Sequence, residues 1–241
     1  MINELENNLY LYWVGKKYKL LKRLDNLIKL HSDNGKNYTI IYLNDKNIKE
    51  YIDVPDIFYK LNPVHQSDIV RVFIIEKYGG IWIDTDTIVM ENLQNLFNII
   101  KNKNGFLMQH PDKGYSNGII GSKKQTKLLI DWKKYILDNV NLHMSWAKLG
   151  AEYMNSIKDK EVFNDYTIFN TRETMYPLDY RLYVNEFFSK SNNYKTIERK
   201  FQPLLVLVNS LYKYYETHEK YYSTLEYFLK KSKMNYESIS K

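Results

Sequence analysis

The chain of 241 residues has no cysteine. Disulfide bridges and thiolate metal sites are excluded, while the compartment stays open. Proline and glycine are scarce, at 5 and 9 residues, and no stretch has the composition of a linker between independent domains. No internal repeat is visible. No segment approaches the roughly 18 apolar residues that a membrane span needs. The opening MINELENN is polar and acidic, and no apolar core follows it, so it does not read as a signal peptide. The histidines at 31, 65, 110, 143 and 218 lack metal-ligand spacing. There is no G-x-G-x-x-G fingerprint, no phosphate loop and no G-x-S-x-G nucleophile elbow.

What is present is ordinary in bulk. Hydrophobic residues make up 44% and charged residues 26%, enough for a sizeable core. The net charge of +7 suits a nucleotide-sugar donor, a nucleic acid or an anionic surface, and decides among none of them. The 23 tyrosines read first as compositional drift and second as functional aromatics.

The informative stretch is Ser67 to Met90, SDIVRVFIIEKYGGIWIDTDTIVM. It reads as a helix capped by Ser67, a Gly79-Gly80 turn, a buried strand through Ile81, Trp82 and Ile83, then two aspartates. In an extended segment Asp84 and Asp86 would face the same way, roughly 6.6 Å apart. Bare carboxylates cannot enter a core unpaired. A hard cation such as Mg²⁺ or Mn²⁺ takes one or two carboxylates and completes its shell with substrate phosphates. Strand ends of open α/β sheets are where such ligands bind. The other reading of Asp-Thr-Asp-Thr is a plain turn.

Elsewhere, Leu9 to Val14 and Tyr38 to Leu43 read as strands around a helix whose apolar positions are 20, 21, 24, 27 and 28. Strand, helix and strand at that spacing form a parallel βαβ unit. Short strands are expected at Gly105 to Gln109 and Gly118 to Gly121, and helices at Thr126 to Val140 and Ser145 to Ile157. A late strand is expected at Pro203 to Val208 and an aromatic, basic helix at Tyr212 to Lys231. The expected organisation is one domain. Residues 1–125 form one half of it, 126–231 the other, and 232–241 a flexible tail.

Asp68 and Arg71, three apart on a helix, share a face. They read either as a surface ion pair or as groups reaching the pocket of Asp84 and Asp86. Trp13, ending the first strand, reads as core or as a ring that stacks on a base.

Ser67-Asp68-x-x-Arg71 followed by Gly79-Gly80-x-x-x-Asp84-x-Asp86 resembles the D-x-D signature of the family-32 glycosyltransferases. It is also similar to the catalytic domains of the large clostridial glucosylating toxins. LYWVG (Leu11 to Gly15) resembles the family's first strand, and VLVNSLY (Val206 to Tyr212) its late segment. The resemblance implies an α/β GT-A (Rossmann-like) fold with a mixed, mainly parallel sheet and added helices. It implies a retaining transfer from a nucleotide-sugar, with UDP favoured, and a Mn²⁺ (or Mg²⁺) cofactor. The acceptor would be a glycan, lipid or protein; no nucleic acid is expected. Asp86 would bind the metal, and Asp84 the ribose and the metal's water shell. Asp68 and Arg71 would hold the donor sugar and a phosphate oxygen, Ser67 the ribose, and Trp13 the base. Asn209 and Ser210 would make late metal and diphosphate contacts, where many members have His-x-x-x-Ser-Trp. Golgi members carry an N-terminal anchor not found here, which implies a bacterial or viral cytoplasmic enzyme. Two other readings are a haloacid-dehalogenase-like phosphatase, whose first motif is also D-x-D, and a non-catalytic sugar-binding protein.

Overall fold

The computed structural model describes residues 7–33, 35–111, 114–157, 161–188, 193–207, 213, 215 and 223–239. Their strands are β1 (Asn8–Tyr12), β2 (Thr39–Leu43), β3 (Gly80–Ile83), β4 (Thr87–Val89), β5 (Gly105–His110), β6 (Gly114–Ser122), β7 (Tyr166–Asn170) and β8 (Leu204–Val206). The helices that organise them are α1 (Lys19–His31), α2 (Pro63–Tyr78), α3 (Gln94–Asn102), α4 (Lys127–Asn139), α5 (Tyr153–Ser156), α6 (Tyr183–Phe188), α7 (Tyr194–Ile197) and α8 (Ser223–Ile239). The chain divides into two compact units. One comprises Met1–Gly15, Tyr38–Ile83 and Gln94–Phe169; the other comprises Lys16–Asn37, Asp84–Leu93 and Asn170–Lys241.

The first unit is built on a sheet of order β2-β1-β3-β6-β5-β7. β1 is parallel to β2 and β3, while β6 runs antiparallel to β3 and β5. β5 therefore points the same way as β1, β2 and β3, and the sheet is mixed but mainly parallel. β1 and β3 are wholly buried, as continuous apolar runs in a covered sheet must be. The two glycines before β3 are needed for conformation and for space. Gly79 and Gly80 have φ of 71° and 110°, and a Cβ on Gly80 would lie 2.5 Å from the Asn8 carbonyl oxygen.

α2 begins earlier than the sequence reading expects. Its N-cap is Asn62, whose side-chain oxygen accepts from the Val64 and His65 amides at 3.0 Å, with Pro63 in the first turn. Asn-Pro is a stronger start signal than Ser67, because proline there sacrifices no helical hydrogen bond. Ser67 and Asp68 consequently sit in the second turn. α2 packs its apolar residues, including Val70, Phe73 and Ile74, into one cluster with Trp132 and Ile136 of α4. The helix expected over Ser145 to Ile157 is instead a wide π-type turn, Lys148–Glu152, followed by α5.

In the second unit β4 pairs antiparallel with β8, Thr87 opposite Val206 and Val89 opposite Leu204. α8 extends to Ile239, through the stretch expected to be a flexible tail. Ser232 explains the difference. It is wholly buried, donates to the Val89 carbonyl at 2.5 Å, and meets buried His31 Nε2 at 3.1 Å. Burial keeps the His31 imidazole neutral, pushing its pKa down to about 4, with the hydrogen bond to Ser232 opposing.

Candidate active site

α2 is buried almost all round, from His65 to Ile75 apart from half-buried Ser67. Such a helix must pair every polar side chain it carries inward. Asp68 and Arg71 are each 4% exposed, which settles their environment: they form a buried pair rather than a surface one. Arg71 Nη2 lies 3.5 Å from Asp68 Oδ1. The guanidinium also donates to Ser67 Oγ at 3.0 Å, to the Ser67 carbonyl at 3.3 Å, and to the Asn117 carbonyl of β6. Its carbon stands 5.2 Å from the centre of the Trp82 ring on β3.

Asn117 closes the arrangement. Its Nδ2 donates to Asp68 Oδ1 at 2.8 Å while its backbone oxygen receives Arg71. One residue of β6 thus orients both members of the pair. The π-type turn presses on the same group. A Cβ added to Gly150 would lie 2.0 Å from Asn117 Nδ2 and 3.2 Å from Asp68 Oδ1. Neither Asn117 nor Gly150 carries a local signal, since each acts across the fold. Trp13, half-buried just past β1, donates its amide to the Leu43 carbonyl at 3.0 Å.

Within the second unit, Asp84 and Asp86 are both half-buried. β3 ends at Ile83, and Thr85 and Asp86 form a turn into β4, so the extended-strand argument for their common direction does not apply. The turn is tied down at Asp86, whose carbonyl accepts from the Leu207 amide at 2.8 Å. Buried Tyr183 also belongs here. Its phenol is pushed well up by burial, and the negative charge of Asp86 adds to the shift. Leu207 comes two residues before Asn209 in the chain; Asn209 and Ser210 lie outside the described residues.

The donor chemistry at Asp84 and Asp86 fits a hard divalent cation, with two half-buried carboxylates on one pinned turn. Among the described residues, no group of three or more histidine, aspartate or glutamate side chains is placed to hold a metal. Two carboxylates suit a cation whose shell is completed by phosphate oxygens.

A model of the capsular polysaccharide synthesis protein family matches residues 19–240. The chain belongs to that family. It is thereby a family-32-type glycosyltransferase in lineage, and the resemblance read from the D-x-D signature is borne out. Mannosyl phosphorylinositol ceramide synthase CSH1 of Saccharomyces cerevisiae is 29% identical over 195 residues, 74% of this chain and 49% of that protein. Lactosylceramide 4-alpha-galactosyltransferase of Pongo pygmaeus is 40% identical over 42 residues, 17% of this chain and 19% of that protein. The chain thus spans about half the length of the yeast relative and less of the ape one. Among solved structures, a glycosyltransferase involved in the glycosylation of the major capsid of PBCV-1 superposes with a TM-score of 0.50. It is 13% identical and covers 88% of this chain and 99% of its own. The fold is the GT-A fold, with the mixed, mainly parallel sheet described above. Family membership removes the phosphatase reading of the D-x-D.

Proposed function

We propose that this protein transfers a sugar from a nucleotide-sugar, with UDP favoured, to a glycan, lipid or protein acceptor, using a divalent cation and retaining the anomeric configuration. The observation that carries the proposal is the buried Ser67–Asp68–Arg71–Asn117 group. It stands beside Trp82 of the strand that runs directly into Asp84-x-Asp86.

In this reading Asp86 and Asp84 hold the cation with Asn209, and Asn209 and Ser210 reach the diphosphate. Bound there, Mn²⁺ or Mg²⁺ neutralises charge on the leaving diphosphate. Asp68 accepts hydrogen bonds from donor sugar hydroxyls, and Asn117 keeps it in place. Arg71 supplies fixed positive charge toward a phosphate oxygen. Ser67 meets the ribose and Trp13 stacks on the base. The acceptor class draws on the family description and on the two curated relatives, both named for ceramides.

Retention through a covalent adduct needs a carboxylate beneath the anomeric carbon. The later acids offer poor candidates. Asp179 is held by Arg181 at 2.9 Å and Arg172 at 3.7 Å, while Asp165 and Glu173 are exposed. We therefore favour attack from the leaving-group face. The acceptor oxygen bonds to the anomeric carbon as its bond to diphosphate breaks, and the departing diphosphate oxygen takes the acceptor's proton.

A panel of UDP- and GDP-sugars, scored by nucleotide release with Mn²⁺ and with EDTA, tests this reading. UDP release that stops with EDTA and returns with Mn²⁺ is the expected result, with NMR showing an α-linked product from an α-donor. UDP binding that is equal with and without metal overturns the cation assignment. A β-linked product overturns retention, and a mass-trapped glycosyl adduct overturns the front-face route.

A further inference from the structure

α4 is apolar on both sides. Leu128, Leu129, Trp132 and Ile136 are buried against the core. A helix with one side in the core carries polar residues on the other, yet Ile130 and Leu137 are 49% and 51% exposed. Seven residues apart, they share one face two turns long. Past the helix, Leu142 is 52% and Trp146 72% exposed. The loop that bears Trp146 is anchored, because the Ser145 carbonyl lies 3.1 Å from His65 Nε2 on α2. Single exposed apolar residues need no explanation, but four between Ile130 and Trp146, two of them on one face of α4, point to a surface that meets something.

The charges select the occupant. Lys123, Lys124 and Lys134 are exposed along the same stretch, beside a Lys127 that is paired with Asp131. Its acids are mostly engaged locally: Asp131 by Lys127 at 3.0 Å, and Glu152 by Ser145 and by Lys148 at 3.9 Å. Asp138 is the remaining acid. Exposed tryptophan and leucine among lysines is the composition of a surface that lies in a bilayer interface, with rings at headgroup depth and lysines toward lipid phosphates. Pairing with a second copy about a two-fold axis would set the surface against itself and bring lysines toward lysines. Among the described residues no helix is long and apolar enough to cross a membrane.

We propose that the surface formed by α4 and Trp146 docks this protein peripherally onto an anionic lipid bilayer. The test is co-sedimentation of the full chain with vesicles of phosphatidylcholine and phosphatidylglycerol, against phosphatidylcholine alone, with tryptophan emission followed. Binding to the anionic vesicles should be at least about tenfold tighter, should weaken with added salt, and should shift the emission to the blue. The double variant Leu142→Ser, Trp146→Ser should bind at least about tenfold more weakly with an unchanged melting temperature. Ile130→Ser, Leu137→Ser probes the same surface independently if the first pair fails to fold. Failure to bind, equal binding to neutral vesicles, or folded variants that bind like the parent would overturn the proposal. So would a concentration-dependent dimer that Trp146→Ser abolishes, since the surface would then join two copies of this chain.

Discussion

The Asp68–Arg71 pair and the Asp84–Asp86 pair flank the same buried strand in sequence, yet opposite physics governs them. Asp68 and Arg71 are almost wholly buried, and protein groups answer their charges. Asp84 and Asp86 are half-buried, on a turn tied by the hydrogen bond from the Leu207 amide to the Asp86 carbonyl. A buried pair resists the loss of either member, because the survivor is left charged without compensation. A half-buried carboxylate on a backbone-pinned turn can change while the fold persists. Under the proposed function, one region would couple activity to stability, and in the other the two would separate.

The largest effect should therefore fall on the buried pair. Arg71→Ala should cost about 3–5 kcal/mol of stability, together with activity. Denaturant unfolding checks this, and a loss below about 1 kcal/mol would return the pair to the class of solvated surface bridges. Asp86→Asn is the counterpart in the turn. Nucleotide release should fall by roughly 10²–10³-fold, while stability stays within about 1 kcal/mol of the parent. An equal loss of both would erase the contrast between the two regions.

A third prediction uses pH to probe the second unit. His31 has its folded-state pKa lowered from 6.5 to about 4, so the unfolded chain takes up this proton first as pH falls. The stability that depends on neutral His31 is complete above pH 6.5 and is lost between there and about pH 4. The total loss is roughly 3 kcal/mol by linkage. Unfolding free energies of the parent and of His31→Gln, compared across that range, isolate the contribution. Parallel curves would show that His31 does not titrate differently on folding.

Smaller effects sharpen the contrast. Gly150→Ala forces a methyl onto Asn117 and should cost about 1–3 kcal/mol as overpacking. Sugar transfer should fall more than donor binding, because Asp68 loses its orientation. Unchanged turnover would show that the Asn117 amide simply moves aside. Trp13→Ala should weaken donor affinity by roughly tenfold, consistent with one lost base stack, without unfolding the protein. Tighter binding of GDP than of UDP by the parent would overturn the assignment to uracil.

Much of this architecture is legible locally. The periodicity at residues 20 to 28 marks α1, and the apolar runs mark β1, β2, β3 and β8 to within two residues at either end. Each signal lies within its own element, so neighbouring residues suffice to reveal it. The unit running from Ser67-Asp68-x-x-Arg71 through Gly79-Gly80 to Asp84-x-Asp86 carried the family resemblance, together with LYWVG and VLVNSLY. The start of α2 is also written locally, in Asn62-Pro63. The end of α8 is not legible locally, because Ser232 and its neighbours are polar. Their polarity is answered by His31 and by the Val89 carbonyl, far away in the chain.

The sequence by itself determined the carboxylates, their spacing and the strand that leads to them, since these follow from residue type and short-range period. Only the tertiary structure decided that Asp68 and Arg71 form a buried pair and that Asn117 orients both of them across 49 and 46 residues. It alone decided that Gly150 packs against that group and that β6 turns back against β3. The reason is physical. A hydrogen bond between residues so far apart depends on how the sheet orders its strands, and no local period records that order.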